Sequence, residues 1–335
     1  MDVRLSPEQH ALRDSAAQVA DRLGVPTVRA LDDRERVAKL DAAVAASGWR
    51  ELRAASDDGT KPWASAVEAA LVAEELARGL CDAPFLGPTL AAELRRLAGA
   101  PAAGPNETVA LTSSLAALSV VPAAVVAFDA AGATSALAVD GASQLVSTPL
   151  DGPGEPVDLT RPSSVVDERA ELTPVGGSVD DGALVRWKAL GLALTTADLV
   201  GTMRGAVTLA ASYAIERRQY GTAIGSFQAV QHLLADAHVA TEGARSASLH
   251  AAWAVDALAA DDALAAAATA KAFASRAARI VCETAIQVHG GIGNTWDCMA
   301  HVFLRRALLS SDVLGGVGPN LARVLAHQGV TSGLR

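Results

Sequence analysis

Residues 216–236 read ERRQYGTAIGSFQAVQHLLAD, a polar turn between two segments of helical character. Arg217 and Arg218 end an apolar helix, and Tyr220-Gly221 turns the chain. Ser226 stands where its hydroxyl can cap the next helix. The arginines either complement the negative end of the helix dipole or clamp an anion, because guanidinium can hold a phosphate through two parallel hydrogen bonds.

A second break in the helical pattern follows at residues 287–296, QVHGGIGNTW. Glycines after a helix commonly end it. Without Cβ atoms, however, Gly290, Gly291 and Gly293 would also let a flat or bulky ligand approach the backbone, with Gln287 nearby as hydrogen-bond donor and acceptor. Each stretch taken alone leaves the choice between a structural and a binding role open.

Around these stretches the hydrophobic spacing predicts a mainly α protein with a small β domain. Helical periodicity runs to about residue 98, starting at a capping box formed by Ser6-Pro7-Glu8-Gln9. Short valine-rich runs between turn residues then predict strands, paired antiparallel. Long helices are expected at 189–216, 226–258 and 261–288. The predicted domains are therefore 1–104 (helical), 105–184 (β) and 185–335 (helical bundle).

Composition excludes several classes of function. The net charge is −9 and the chain has no run of lysine or arginine, so nucleic acid is not an expected partner. The chain has no apolar run of eighteen residues and no signal peptide, which predicts a cytoplasmic protein that does not enter a membrane.

The cysteines and histidines do not predict a metal site. Cys81, Cys282 and Cys298 are widely spaced and are expected to be buried free thiols. The helical histidines lack the i, i+4 pairing of metal ligands, and His289 is expected to pack near a ligand. Phe273 is predicted to pack between helices.

Together, ERRQYG with SFQAVQHLLAD and the later AIQVHGGIGNTWDCMAHVFLRRA resemble the C-terminal domain of the acyl-CoA dehydrogenase family. Their order and spacing match over residues 185 to 325, and the fold class of the whole chain matches as well: an N-terminal helical domain, a middle β domain and a C-terminal four-helix bundle. The resemblance implies a flavoprotein that oxidises an acyl-CoA between Cα and Cβ, with FAD shared across a dimer interface.

The family's cofactor contacts carry over residue by residue. By resemblance, Arg217 would contact the FAD pyrophosphate, with Tyr220 and Gln228 beside it. Gln287 and the glycine pair Gly290 and Gly291 would form the surface on the adenosine side. Electron-transferring flavoprotein is the family's usual electron acceptor and therefore an expected partner.

The chain departs from the family where the chemistry takes place. Removal of an α proton needs a positioned carboxylate. Counted without gaps from the two motifs, the family's base positions fall on Leu314 and Gly191, neither of which can accept a proton. Asp198 and Asp312 are the nearest carboxylates and are expected to be structural or surface acids. ALTSSLAALSVVPAAVVAF, residues 110–128, also lacks the family's flavin-lining pattern.

This uneven preservation resembles the shorter, degenerate subunit of two-plus-two heterotetrameric acyl-CoA dehydrogenases of steroid side-chain degradation. A larger acyl-CoA dehydrogenase subunit would supply the base and the flavin-ring site, and this chain would complete the site for the FAD tail. Two alternatives stay open. One is a homo-oligomer that is active alone with its base at an unusual position, and the other is a scaffold subunit that retains the fold but binds no FAD.

Overall fold

Helices precede and follow a group of β-strands along the chain. The computed structural model describes residues 4–330 except 58, 60, 103–105, 123–124, 151, 153, 155 and 167–168. The first helices are α1 (Pro7–Leu23), α2 (Arg34–Ala46), α3 (Ala66–Arg78) and α4 (Leu86–Leu97). The last are α5 (Asp181–Glu216), α6 (Gln228–Ala257), α7 (Ala260–His289), α8 (Ala300–Asp312) and α9 (Val317–His327). This order confirms the predicted fold class, whereas the division at residues 104 and 184 stays a prediction.

Capping side chains fix where several helices begin. Ser6 accepts a hydrogen bond from the Gln9 backbone, and the Gln9 side chain accepts one from the Ser6 backbone, as the sequence predicts. Ser65 and Glu68 form the same capping box at α3. Asp180 accepts from the Ala183 backbone, so α5 begins earlier than expected. These bonds satisfy donors that the first helical turn leaves without an intrahelical partner.

The strands are β1 (Glu107–Thr112), β2 (Val125–Phe128), β3 (Ser135–Val139), β4 (Gln144–Pro149), β5 (Ser164–Val166) and β6 (Thr173–Ser178). They form one sheet in the order β5-β2-β1-β3-β4-β6. Strands β1 and β3 are parallel, with Glu107 opposite Ser135, and the other neighbouring pairs in this sheet are antiparallel. The prediction of a wholly antiparallel sheet is therefore wrong. Phe128 at the end of β2 lies opposite Val109 near the start of β1. A short connection can therefore start β3 beside β1 in the same direction.

Helix α5 lies at the centre of the helical layer. It packs against α3, α6, α7 and α8, and small residues allow close approach. A Cβ built on Gly201 would lie 2.0 Å from the carbonyl oxygen of Glu74 on α3. One on Gly205 would lie 2.4 Å from Phe303 Cε1 on α8. The α5 backbone is therefore held nearer to its neighbours than a larger residue would permit.

Other predictions concern burial. Cys81, Cys282 and Cys298 are buried free thiols, as expected. Phe273 on α7 lies against Gly243 of α6 but is 48% exposed, so it packs between these helices only in part. None of the helices in the described part of the chain has both the length and the apolar character that crossing a membrane requires.

We expect Gly201→Ala to destabilise the protein by about 1–3 kcal/mol, because the added methyl group overlaps the α3 backbone. Gly243→Ala on α6 is the matched control. Its Cβ would lie 3.4 Å from Phe273 Cζ, an ordinary contact, and alanine favours helix by roughly 0.5–1 kcal/mol over glycine. Urea unfolding midpoints should move in opposite directions, and a neutral Gly201→Ala would contradict the close packing.

Candidate functional site

The two positions at which the resemblance predicts a base lie in contact with each other. Gly191 is on α5, and Leu314 lies in the connection between α8 and α9. A Cβ on Gly191 would be 2.2 Å from Leu314 Cδ1, so the leucine side chain occupies the space beside the glycine. Leu314 is fully buried, and its backbone N–H donates to the carbonyl oxygen of Leu115 at 2.7 Å. Two apolar residues therefore close this position.

The connection after β1 contributes to this closure. Leu115 has a φ of +60° and holds Leu314 through its carbonyl group. It belongs to the segment in which the sequence shows no flavin-lining pattern, of which residues 123–124 lie outside the described part. The segment thus contacts Leu314, one of the two positions at which the resemblance predicts a base.

Asp198, the nearest carboxylate along α5, is a structural acid. It is 1% exposed and accepts hydrogen bonds from Arg161 Nη2 at 2.6 Å, Arg306 Nη2 at 2.7 Å and Ser310 Oγ at 2.6 Å. Burial by itself would raise the pKa of Asp198, but the two guanidinium groups outweigh it and hold that pKa well below its usual value. A carboxylate stabilised in this way is a poor proton acceptor, and the exposed Asp312 lies outside the cluster.

Lys271 on α7 lies fully buried next to this cluster. Its ammonium group donates to Thr195 Oγ1 at 3.0 Å and to the carbonyl oxygens of Ser310 at 2.5 Å and Val313 at 2.9 Å. It therefore joins α5 and α7 to the end of α8, beside Leu314. Burial lowers the pKa of Lys271 to about 7 because the charged form loses its hydration.

Arg217 and Tyr220 lie on the exposed turn between α5 and α6, and Gln228 is the exposed first residue of α6. Short strands β7 (Arg218–Gln219) and β8 (Thr222–Ala223) form a hairpin, closed by a 2.8 Å hydrogen bond from the Ile224 N–H to the carbonyl oxygen of Arg217. Tyr220 is 97% exposed.

The cap predicted for α6 is absent. Ser226 instead donates to the carbonyl oxygen of Ala223 at 2.7 Å, since it belongs to a short turn of 3-10 helix. Phe227 occupies the N-cap position and provides no side-chain hydrogen bond. Backbone N–H groups at the start of this long helix consequently keep free donor capacity.

The structure requires two of the three glycines after α7 but not the third. Gly290 ends the helix with a φ of +66°, which favours glycine. Gly293 is needed for packing, because a Cβ would lie 2.7 Å from the carbonyl oxygen of Ile286. Gly291 has neither a left-handed φ nor any atom within 4 Å of a Cβ built on it. The folded chain itself therefore gives no reason for glycine at 291, which faces open space beside exposed Gln287.

The two motifs meet through an aromatic stack that the sequence reading did not identify. Tyr213 on α5 stacks on His289 at the end of α7, with 4.4 Å between ring centroids. Tyr213 precedes Arg217 by four residues, about one helical turn. This spacing is the feature of the sequence that could have drawn attention to Tyr213. The stack brings the ends of α5 and α7 together, so the Arg217 turn and the Gly291 turn belong to neighbouring helix ends.

Comparisons with known proteins identify the class. The acyl-CoA dehydrogenase C-terminal domain family matches residues 190–318. Acyl-CoA dehydrogenase IpdE2 of Mycobacterium tuberculosis is 34% identical over 253 residues, which cover 74% of this chain and 73% of that protein. IpdE2 of Mycolicibacterium smegmatis is 33% identical over 261 residues, 78% of each chain. The chain therefore belongs to the acyl-CoA dehydrogenase family.

Solved structures share the fold over almost the whole chain. The Tcur3481-Tcur3483 steroid ACAD variant superposes with a TM-score of 0.78 at 23% identity, covering 96% of this chain and 98% of that one. The ChsE4-ChsE5 complex from Mycobacterium tuberculosis gives a TM-score of 0.74 at 23% identity, covering 99% and 100%.

We expect Asp198→Asn to destabilise the fold by roughly 3–5 kcal/mol, because two buried arginines lose the carboxylate that they share, although Arg161 keeps Asp129 at 3.7 Å. The matched control is Asp312→Asn at the exposed acid, which should change stability by less than about 0.5 kcal/mol. Thermal unfolding of the purified proteins measures both. Equal effects of the two substitutions would show that the cluster does not support the structure.

Because the pKa of Lys271 is lowered on folding, the stability of the protein should depend on pH. The pKa of Lys271 is about 7 in the folded chain, against an ordinary value of 10.5 for lysine, so the unfolded chain binds more protons above pH 7. Wild-type stability should therefore rise relative to Lys271→Met between about pH 7 and 9, by roughly 1–2 kcal/mol. Lys39→Met is the control, because Lys39 is exposed and its pKa is raised. If the difference in the free energy of unfolding between wild type and Lys271→Met stays constant across this pH range, the pKa of Lys271 is not depressed.

Proposed function

We propose that this chain is the non-catalytic, cofactor-completing subunit of a heteromeric FAD-dependent acyl-CoA dehydrogenase. The observation that carries the proposal is a contrast within one chain. The base position is filled, with Leu314 packed onto Gly191, whereas Arg217 and Gly291 face open space at neighbouring helix ends. Such a chain can bind part of a cofactor but does not offer a base at the family's positions.

The residues present fit the ADP part of FAD. A pyrophosphate needs cationic and N–H donors, and Arg217 lies close in sequence to the uncapped start of α6. Gln287 and the open backbone at Gly290 and Gly291 suit the adenosine side. Tyr220 and Gln228 would flank the pyrophosphate. Bound FAD supplies the hydride acceptor for the oxidation of the acyl-CoA.

The described interior at the Asp198 cluster does not fit an acyl chain. The cavity at the Asp198 cluster, which is also lined by Arg161, Arg306 and Asp129, has a volume of only about 10 Å³. This volume is comparable to the space needed by one water molecule. The substrate pocket and its carboxylate would therefore belong to the larger subunit.

An exposed stripe on α7 supports a partner. Phe273 and Ile280 are 48% and 53% exposed and lie seven residues apart, so they share a helix face, and Gln287 continues it after seven more. Exposed apolar surface of this kind marks protein interfaces. The stripe continues into the glycine turn. A partner subunit that covers the stripe could therefore also bind the part of FAD that this chain does not contact.

Two structural neighbours suggest the form of the assembly and the substrate class. One is a steroid ACAD variant, and the other is the ChsE4-ChsE5 complex. By analogy, we propose a two-plus-two heterotetramer acting in the cytoplasm on a steroid side-chain thioester of coenzyme A. Electron-transferring flavoprotein would accept the electrons.

The test is co-expression of this chain with larger acyl-CoA dehydrogenase subunits from its own genome. We expect flavin absorbance and acyl-CoA-dependent reduction of an electron acceptor only in the mixed complex. Arg217→Ala should lower bound flavin at least about tenfold, since charge-assisted hydrogen bonds to the pyrophosphate are lost. Arg22→Ala, which removes an exposed arginine from α1, should leave flavin content unchanged.

Two outcomes would contradict the proposal. A yellow homo-oligomer that oxidises acyl-CoA alone would require a base elsewhere in this chain. A complex whose flavin content is the same with and without Arg217 would leave this chain a scaffold.

A further inference from the structure

Tyr213 connects the Arg217 turn (residues 217–227) to the glycine turn (residues 290–294). Its backbone carbonyl oxygen accepts a hydrogen bond from the Arg217 N–H at 2.8 Å, at the point where α5 ends and the first turn begins. Its ring stacks on that of His289, with 4.4 Å between the centroids and 25° between the planes. Because His289 is the last residue of α7, one residue of α5 contacts the base of both turns.

The imidazole ring of His289 is fixed to its own helix and to the glycine turn. Its Nδ1 lies 2.7 Å from the carbonyl oxygen of Ala285, about one helical turn earlier. A Cβ built on Gly293 would lie 3.1 Å from His289 Cβ, so the glycine turn packs directly against this residue. His289 is 7% exposed. It can therefore influence a ligand only through the turn that covers it.

The other residues at this junction are small. Ala210 and Ala214 on α5 and Ala285 on α7 are buried in the apolar cluster against which Tyr213 packs. Methyl groups allow the two helices to approach closely, but they have no directional preference. An aromatic pair, in contrast, prefers defined stacked or edge-to-face arrangements. The stack is therefore suited to fix the spacing between the two turns.

We propose that Tyr213 and His289 are positioning residues, which hold the Arg217 turn and the glycine turn at the spacing that the ADP part of FAD requires. This inference rests on the proposed function, in which Arg217 binds the pyrophosphate and Gln287 with Gly291 binds the adenosine side. A ligand that contacts both turns gains affinity only when both are in place at once. A ligand that contacts one turn does not depend on their spacing.

The experiment compares two such ligands on the co-expressed complex after its flavin has been removed by dialysis. FAD contacts both turns, whereas inorganic pyrophosphate fits the Arg217 turn alone and is measured by its competition with FAD. In Tyr213→Leu the affinity for FAD should fall about three- to tenfold, the range that the loss of one aromatic pair implies. The inhibition constant of pyrophosphate should stay within about twofold of the wild-type value, because the Arg217 turn itself is unchanged.

Rescue and coupling distinguish positioning from a general loss of structure. Tyr213→Phe keeps the ring and should restore the affinity for FAD. Tyr213→Leu combined with His289→Leu should bind FAD no more weakly than the weaker single variant, because each change alone already removes the stack. His250→Leu is the control: exposed His250 pairs with Trp253 at 5.8 Å between centroids, in the second half of α6, and its loss should leave both affinities unchanged.

Several results would overturn the inference. They are an unchanged affinity for FAD in Tyr213→Leu, equal losses of FAD and pyrophosphate affinity, additive losses in the double variant, and a wild-type complex in which pyrophosphate does not compete. His289→Leu, measured in the same way, provides the test if Tyr213→Leu does not fold. If Arg217→Ala lowers bound flavin but a folded Tyr213→Leu does not, only the positioning role is wrong. If neither lowers it, the proposed function is wrong as well.

Discussion

The buried carboxylate of Asp198 joins parts of the chain that are far apart in sequence. It holds Arg161 from the connection before β5 and Arg306 and Ser310 from α8 against the centre of α5. Arg306 donates in addition to the carbonyl oxygen of Cys81 at 2.9 Å, which ties in the segment after α3. Desolvation offsets much of the attraction in such a cluster, so its main effect is to specify one arrangement, because other arrangements would leave buried charges unpaired.

Around that cluster, tight helix packing separates a closed interior from an open edge. Alanine and glycine let α3, α5 and α8 approach closely, and the space that would otherwise remain at Gly191 is filled by Leu314. At the far end of α5, Tyr213 and His289 hold two helix ends together while their turns remain exposed. One helix thus connects the buried contact of Gly191 with Leu314 to an exposed surface at the ends of α5 and α7.

His289 also anchors the end of α7. Its ring stacks on Tyr213, and its Nδ1 lies 2.7 Å from the carbonyl oxygen of Ala285. One imidazole therefore links the end of α7 both to its own helix and to the end of α5.

Sequence alone determined the family, the order of helices and strands and the Ser6 capping box. Those features depend on local spacing, which neighbouring residues along the chain set by themselves. Tertiary structure decided the parallel pairing of β1 with β3, the failure of Ser226 to cap α6, and the contact of Gly191 with Leu314. It also decided that Asp198 is paired and that Gly291 is open, because such contacts join residues whose proximity depends on how whole helices and strands pack.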